Sequence, residues 1–401
     1  MKITGLRIDR HSIPYTPKYK SEARSAKPLD VYPEYDSGER SPRMRAASDY
    51  KDGILSEYFL VISTDEGVEG IHGPVDYRGQ LLIALEGLAP LLIGRDPLEN
   101  RLLWDVMSRF DRHARSGLIL MALSAVDIAL WDLKGKILGQ PVYKLLGGGR
   151  EKLRPYVSML SFSVEPDRAR EYAAMVRDMG VRAQKWFFRY GPAQGEEGMR
   201  KNMALAEALR EELGDGYELM FDCWMGWDVV YAKEMLRRLE PIHPVWVEEA
   251  LRPHMVDGYH KLHAETRVPL AAGEHLYTRM EVNGYLRDGI FDVMQSDPEW
   301  CGGITEALRI ADLCETYGVR CIQHGHGLLP AMQVAAAMPP DVVPYVEYLL
   351  NFIDHKTAFF AHDTQISPDG FLKMNETPGI GEDLCQEKIV ETQTFTRFEL
   401  G

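Results

Sequence analysis

Acidic side chains recur at one spacing in the middle of this 401-residue chain, each after a strand-like apolar run. Asp222 follows Leu-Met-Phe, Glu248 follows Val-Trp-Val, and Glu274 follows Ala-Ala-Gly. The intervals from Asp222 to Glu248 and from Glu248 to Glu274 are both 26 residues. One strand, one helix and two loops take that length when eight such units fill a barrel of about 250 residues. Because barrel strands end at the active-site face, the spacing predicts that the three acids converge there.

Converging carboxylates repel one another unless a cation lies between them. A set of oxygen ligands is the kind that Mg²⁺ prefers. The spacing therefore predicts a Mg²⁺ site at the ends of three successive strands.

The same period continues beyond the three acids. Asp297 lies 23 residues after Glu274, His324 lies 27 after Asp297, and Glu347 lies 23 after His324. An isolated acid after a strand can simply cap a turn or a helix, for which Asp is well suited. That explanation accounts for one or two positions, but Glu caps poorly and His does not cap, so the whole series points to a site.

The bulk composition fits a globular protein, with 45% hydrophobic and 26% charged residues. The net charge of −14 argues against nucleic acid or an anionic membrane as the main partner. Five cysteines without a CxxC pair suggest a cytoplasmic protein. The most apolar stretch, residues 81–94, is interrupted by Glu86 and Pro90 and is too short for a membrane span.

The pattern predicts an α+β domain over residues 1–125 and a parallel barrel over 126–369. Residues 14–50 are rich in Pro, Tyr, Lys, Arg and Asp and predict a lid loop. Residues 370–401 end in an alternating run that is expected to return to the first domain as a strand. The predicted barrel strands are Tyr156–Ser158, Ala183–Trp186, Glu218–Asp222, Val245–Glu248, Leu270–Glu274, Asp292–Asp297, Arg320–His324 and Val343–Glu347.

This arrangement resembles the enolase superfamily. The His324–Asp297 pair and the string from Ala125 to Gly135, followed by Gly139-Gln-Pro-Val-Tyr-Lys-Leu-Leu-Gly147, are typical of its mandelate racemase branch. The strings around Asp222 and Asp297 look most like those of L-rhamnonate dehydratases. The resemblance implies a modified (β/α)₇β TIM barrel with an α+β capping domain that the C-terminal segment completes. We also expect a homo-oligomer, either a dimer or an octamer.

The resemblance implies that Asp222, Glu248 and Glu274 hold Mg²⁺. The neighbouring Glu249 is a competitor, but it should face the other side of the strand or the loop. His324 is the expected acid/base, with Asp297 holding its ring. His326, two residues further, competes for that role or contacts the substrate.

Glu347 is a candidate proton donor if burial raises its pKa. Lys185 either approaches the substrate carboxylate or balances the charge of the site. His275 either contacts the substrate or supports the third metal ligand. Arg43 and Arg45 in the lid loop are candidates for binding a polar acid substrate.

The expected activity is dehydration of an acid sugar, an aldonate, to a 2-keto-3-deoxy acid. Many branch members carry Lys-x-Lys at the second strand, where the second Lys is a base on one face of the substrate. Here Phe187 replaces that Lys, which argues against a racemase or epimerase. A cycloisomerase would look the same in sequence and stays an alternative. A non-catalytic relative is disfavoured because the acid and histidine set is intact.

Overall fold

The computed structural model describes residues 1–36, 49–362 and 364–396. The predicted Arg43 and Arg45 lie outside these residues. The strands are β1 (Ile3–Pro14), β2 (Asp49–Lys51), β3 (Ile54–Thr64), β4 (Glu69–His72), β5 (Lys152–Leu153), β6 (Pro155–Ser158), β7 (Ala183–Phe187), β8 (Glu218–Asp222), β9 (Val247–Glu248), β10 (Leu270–Ala272), β11 (Val293–Ser296), β12 (Arg320–Gln323), β13 (Val346–Leu349), β14 (Leu372–Lys373) and β15 (Glu391–Phe395). The helices are α1 (Pro33–Asp36), α2 (Arg78–Leu82), α3 (Ala89–Leu92), α4 (Asn100–Arg109), α5 (Gly117–Leu138), α6 (Val142–Leu145), α7 (Pro166–Asp178), α8 (Gly195–Leu213), α9 (Val229–Leu239), α10 (Val256–Glu265), α11 (Thr278–Asp288), α12 (Gly303–Tyr317), α13 (Leu328–Ala337) and α14 (Leu350–Lys356).

Strands β6 to β13 form a closed parallel barrel in chain order, and β13 pairs with β6 to close it. The strands are short and apolar because both of their faces are buried, as Leu219, Met220 and Phe221 of β8 illustrate. Helices α7 to α13 connect successive strands, and the seven-residue α14 follows the last one. The predicted fold class is confirmed.

All eight predicted barrel strands are present in the described residues, but their ends differ in detail. Strand β13 continues to Leu349, two residues beyond the predicted end at Glu347. Glu347 consequently lies within the strand and is fully buried.

The capping domain is an antiparallel sheet in the order β15-β1-β3-β2, with β4 also paired to β3. Strand β15 pairs with β1, so the C-terminal segment completes this sheet as expected. The buried helix α5 packs against β4, where a Cβ on Gly70 would lie 2.3 Å from the Ala129 carbonyl oxygen. The predicted domain boundary at residue 125 falls within α5 and stays a prediction.

The described part of the predicted lid loop lies over the carboxyl ends of the barrel strands. The Tyr15 hydroxyl donates to Asp354 at 2.7 Å, and the Ala26 N–H donates to the Phe188 carbonyl at 2.8 Å. The Lys27 ammonium lies 5.5 Å from the Trp224 ring centroid. The segment therefore crosses the loops that follow β7 and β8 and reaches α14.

Within the described residues, no helix combines the length and the apolar character that crossing a bilayer requires.

Candidate active site

Three carboxylates meet at the carboxyl ends of β8, β9 and β10. Asp222 and Glu248 are the last residues of their strands and are register partners, and Glu274 lies two residues after β10. All three are buried, with at most 4% of any residue exposed. Burial raises the pKa of Asp222 to about 6, of Glu248 to about 8 and of Glu274 to about 7. The structure thus brings the predicted metal ligands into one crowded, poorly hydrated cluster.

Lys185, in the middle of β7, is the cation nearest to this cluster. Its ammonium lies 3.1 Å from Asp222 Oδ2, 2.5 Å from Glu248 Oε1 and 2.9 Å from Glu347 Oε1. Only 1% of Lys185 is exposed, and the contacts with Glu248 and Glu347 raise its pKa although burial lowers it. Lys185 therefore balances the charge of three carboxylates at once.

His324 follows β12 and forms a dyad with Asp297. Its Nδ1 lies 2.6 Å from Asp297 Oδ2, while its Nε2 lies 3.3 Å from Glu274 Oε2. Burial opposes the charge of the ring, but Glu274, Glu347 and the Asp297 hydrogen bond raise its pKa to about 10. The dyad fixes the ring so that Nε2 faces the carboxylate cluster.

Glu347 does not behave as the sequence suggested. Burial was expected to raise its pKa, but the contacts with Lys185 and His324 outweigh burial and lower the pKa to about 2. Its Oε2 accepts a hydrogen bond of 2.9 Å from the Gly325 N–H. The cationic neighbours thus favour the carboxylate form of Glu347, and its role as a proton donor stays a prediction.

Glu249 joins the cluster, contrary to the expectation that it faces away. Its φ angle of 44° turns the chain after β9. His275 Nδ1 lies 2.8 Å from Glu249 Oε1 and 3.5 Å from Glu274 Oε1. Burial lowers the pKa of His275, but these two acids raise it to about 9. His275 is therefore a charged neighbour of the third predicted ligand.

His326 belongs to a second acid–histidine pair. Its Nδ1 lies 2.5 Å from Glu299, and its Nε2 lies 2.5 Å from Asp76 of the capping domain. The Lys356 ammonium lies 2.7 Å from Glu299 and 3.1 Å from His326 Nδ1. The sequence reasoning missed Glu299, although the 27-residue interval from Glu299 to His326 equals that from Asp297 to His324.

A single cavity joins both histidines to two of the acids. It is lined by Leu160, Phe187, Asp222, Trp224, Glu274, Trp300, His324, His326, Leu349 and Phe352. The lining therefore combines two acids and two histidines with aromatic and aliphatic side chains. Trp300 and Phe352 were not anticipated, because the sequence does not show which aromatic residues near strand ends turn inward.

The residues present fit a small divalent cation. Asp222, Glu248 and Glu274 offer only oxygen atoms, and the ammonium of Lys185 already contacts two of these carboxylates. Within the described residues, the ligand atoms of Asp222, Glu248 and Glu274 do not all lie within 4.8 Å of one another, whereas those of Glu249, Glu274 and His275 do. That second set makes Glu249 a competitor of Glu248 for the metal.

Two family descriptions match the chain. Residues 167–388 match the family described as enolase C-terminal domain-like. Residues 55–147 match the mandelate racemase / muconate lactonizing enzyme N-terminal domain.

Curated and solved relatives match nearly the full length. L-rhamnonate dehydratase of Saccharopolyspora erythraea is 31% identical, over 90% of this chain and 90% of the relative. The crystal structure of rhamnonate dehydratase from Gibberella zeae complexed with Mg is 26% identical with a TM-score of 0.81, over 96% of this chain and 95% of that chain. The crystal structure of the 3,6-anhydro-D-galactonate cycloisomerase from Zobellia galactanivorans is 25% identical with a TM-score of 0.77, over 97% of this chain and 98% of that chain. The chain therefore belongs to the mandelate racemase branch of the enolase superfamily.

Proposed function

We propose that this protein is a Mg²⁺-dependent acid-sugar dehydratase, a hydro-lyase that converts an aldonate to a 2-keto-3-deoxy acid. The similarity to an L-rhamnonate dehydratase over 90% of both chains supports the reaction class. The magnesium complex of the Gibberella zeae enzyme supports the metal.

Asp222, Glu248 and Glu274 would hold the Mg²⁺ ion. When bound, the ion supplies Lewis-acid stabilisation of the negative charge that develops on the substrate carboxylate. Lys185 keeps the acids together and supplies further positive charge. His275, His326, Arg43 and Arg45 are proposed substrate contacts.

The proposal rests mainly on the geometry of the His324–Asp297 dyad. His324 Nδ1 binds Asp297 at 2.6 Å, and the opposite nitrogen faces the predicted ligand Glu274 at 3.3 Å. In its neutral form, which a cation held by Glu274 would favour by offsetting the charge of that carboxylate, Nε2 of His324 can accept the α-proton of a carboxylate substrate beside the predicted metal ligands. The same nitrogen, once protonated, then donates that proton to the β-hydroxyl as the Cβ–O bond breaks. Water leaves, and the enol that remains tautomerises to the keto acid.

One residue that changes between base and acid needs access to only one face of the substrate. Phe187 lines the cavity where many branch members carry a second base. Racemisation requires proton transfer on both faces, so Phe187 favours elimination over a racemase or epimerase.

A cycloisomerase is the second candidate. The similarity to the 3,6-anhydro-D-galactonate cycloisomerase favours it, since that relative is also named for a sugar-acid substrate. Expulsion of a ring oxygen would use the same proton abstraction. Product identification separates the two reactions, because only dehydration removes the mass of water.

A panel of aldonic and aldaric acids tests the proposal. In D₂O with Mg²⁺, we expect deuterium exchange at the α-carbon of at least one acid and formation of its 2-keto-3-deoxy product. Full activity after EDTA treatment would contradict the metal-dependent reading.

The matched pair Glu248→Gln and Glu249→Gln identifies the ligand. We expect Glu248→Gln to abolish turnover and the Mg²⁺-induced rise in Tm while the circular dichroism spectrum stays unchanged. Glu249→Gln should retain a Mg²⁺-induced rise in Tm. The reverse pattern would assign the metal to Glu249.

A further inference from the structure

Trp300 occupies the centre of the candidate active site. It lies three residues after Asp297. The backbone N–H of Trp300 donates to the Asp297 carbonyl at 3.0 Å, which fixes the turn after β11. Its ring lines the cavity together with His324 and Glu274, and 8% of the residue is exposed.

Three histidines surround this indole ring. The ring centroids of His324, His326 and His275 lie 4.9, 5.0 and 5.7 Å from that of Trp300. Each of the three imidazoles is paired with a carboxylate. Imidazolium rings next to an indole face are held by cation–π attraction. Trp300 is thus fixed against the proposed acid/base by its packing.

The indole N–H of Trp300 is buried and has no hydrogen-bond partner among the described residues. Five other tryptophans of the chain donate their indole N–H to a protein oxygen at 2.7–3.0 Å: Trp104, Trp131, Trp186, Trp227 and Trp246. The remaining one, Trp224, is half-buried. A buried donor left unpaired is costly, and indole N–H groups usually find an acceptor.

An indole nitrogen donates only, so its partner must carry a lone pair. The cavity that Trp300 lines also contains Asp222, Glu274 and His324, where the substrate reacts under the proposed function. We propose that Trp300 Nε1–H donates a hydrogen bond to a substrate hydroxyl oxygen. Trp300 then positions the sugar chain relative to His324. This inference rests on the proposed function.

Trp300→Phe keeps the aromatic packing and removes the donor. The assay is the kcat/KM of Mg²⁺-dependent α-proton exchange, measured on the most active aldonate of the panel and on its monodeoxy analogues. For wild-type protein, one analogue should react about three- to tenfold more slowly than the parent, the range of one neutral hydrogen bond. For Trp300→Phe, the parent should slow by a similar factor, and removal of that same hydroxyl should cost nothing further.

Trp131→Phe is the matched control, because its indole N–H donates to Thr305 Oγ1 at 2.8 Å and does not line the cavity. This variant should have a lower Tm than the wild-type protein but keep the wild-type ranking of the analogues by kcat/KM. Trp300→Phe should lower the Tm less than Trp131→Phe does, since both variants lose ring volume but only Trp131→Phe also breaks a hydrogen bond within the protein. Trp300→Tyr, which moves the donor, replaces the Phe variant if the latter does not fold.

Equal slowing of Trp300→Phe on the parent and on every analogue would overturn the inference while leaving the dehydratase proposal intact. Absence of α-proton exchange by the wild-type protein on every acid would overturn the proposed function and this inference with it.

Discussion

His324 and His326 lie two residues apart, yet their surroundings give them different chemistry. Each Nδ1 contacts a carboxylate that lies 27 residues earlier in the chain. The second nitrogen of His324 faces Glu274, whereas that of His326 faces Asp76 at 2.5 Å. Of these two histidines, only His324 therefore directs a nitrogen toward a predicted metal ligand.

We expect His324→Asn to stop both α-proton exchange and product formation, since general acid–base catalysis contributes roughly 10²–10⁴-fold. His326→Asn should retain substantial exchange, because the two ring nitrogens of His326 face Glu299 and Asp76 and not the predicted metal ligands. Proton NMR in D₂O with Mg²⁺ measures both variants. Wild-type exchange by His324→Asn would move the base to His326 or His275.

A substitution at Lys185 tests whether its ammonium stabilises the buried carboxylates. Lys185→Met leaves Asp222, Glu248 and Glu347 without their shared ammonium. Removing one partner from a buried ion pair costs about 3–5 kcal/mol, so the free energy of unfolding without metal should fall by that order. Urea unfolding measures the loss, and added Mg²⁺ should restore part of it. An unchanged midpoint would show that the acids are neutral in the folded protein.

Under the proposed function, the last residue of strand β7 bears on how many faces of the substrate can react. Its last residue, Phe187, is buried and lines the cavity, and it can neither accept nor donate a proton. Of two substrates that are epimers at C2, only one should exchange its α-proton. NMR of each epimer in D₂O tests this, with unreacted substrate recovered for configuration. Exchange of both epimers at comparable rates would reveal a second base.

The lid loop should govern substrate preference. Its described part contacts the loops after β7 and β8 and reaches α14, at the end of the barrel where distal hydroxyls would be bound. If Arg43 and Arg45 bind distal hydroxyls, Arg43→Ala and Arg45→Ala should raise KM and change the ranking of acid sugars more than they change kcat for exchange, because such contacts act on binding and not on the reacting carbon. If both variants keep the wild-type ranking, specificity lies in the barrel loops.

The sequence was sufficient to predict the order of the barrel strands and the acids at their ends, because a regular spacing of 23–27 residues is a property of the repeating unit. It was insufficient where side-chain direction depends on one dihedral angle. The φ of 44° at Glu249 turns that carboxylate toward His275, and no pattern of residues in the sequence predicts this backbone angle. The end of β13 was also missed, since a strand buried on both faces has no alternation that marks where it stops.

At the scale of the whole molecule, buried charges join the capping sheet to helix α5, to the C-terminal segment and, through Asp76, to the barrel. Asp132 of α5 accepts hydrogen bonds from the backbone N–H groups of Ile71 and Ile380 at 2.9 and 3.0 Å. Asp76 reaches His326, and His72 pairs with Glu382 of the C-terminal segment at 3.1 Å. These contacts connect residues far apart in sequence, so they could not be read from spacing. They hold the capping domain over the cavity where the predicted catalytic residues meet.

The buried carboxyl and imidazole groups of the candidate active site make the free energy of unfolding depend on pH. In the metal-free protein, the pKa values of Asp222, Glu274 and Glu248 are raised from 3.8, 4.5 and 4.5 to about 6, 7 and 8. Those of His275 and His324 are raised from 6.5 to about 9 and 10. In each case the folded protein retains a proton that the unfolded chain has released. The free energy of unfolding must therefore fall as the pH rises through this range.

We expect the Tm of metal-free protein to fall between pH 5 and pH 9. Glu347 and Glu299 act in the opposite sense, and their pKa values, lowered from 4.5 to about 2, affect the free energy of unfolding only below pH 4.5. Metal binding requires deprotonated ligands, so Mg²⁺ should raise the Tm more at pH 8 than at pH 6. Calorimetry with EDTA or Mg²⁺ at each pH measures both effects. In the Glu248→Gln variant, the Tm of the metal-free protein should fall less steeply with rising pH. A metal-free Tm that rises toward pH 9 would mean that these carboxylates are ionised in the folded protein without a metal, and the crowded cluster would then have to be stabilised by its histidines and Lys185 alone.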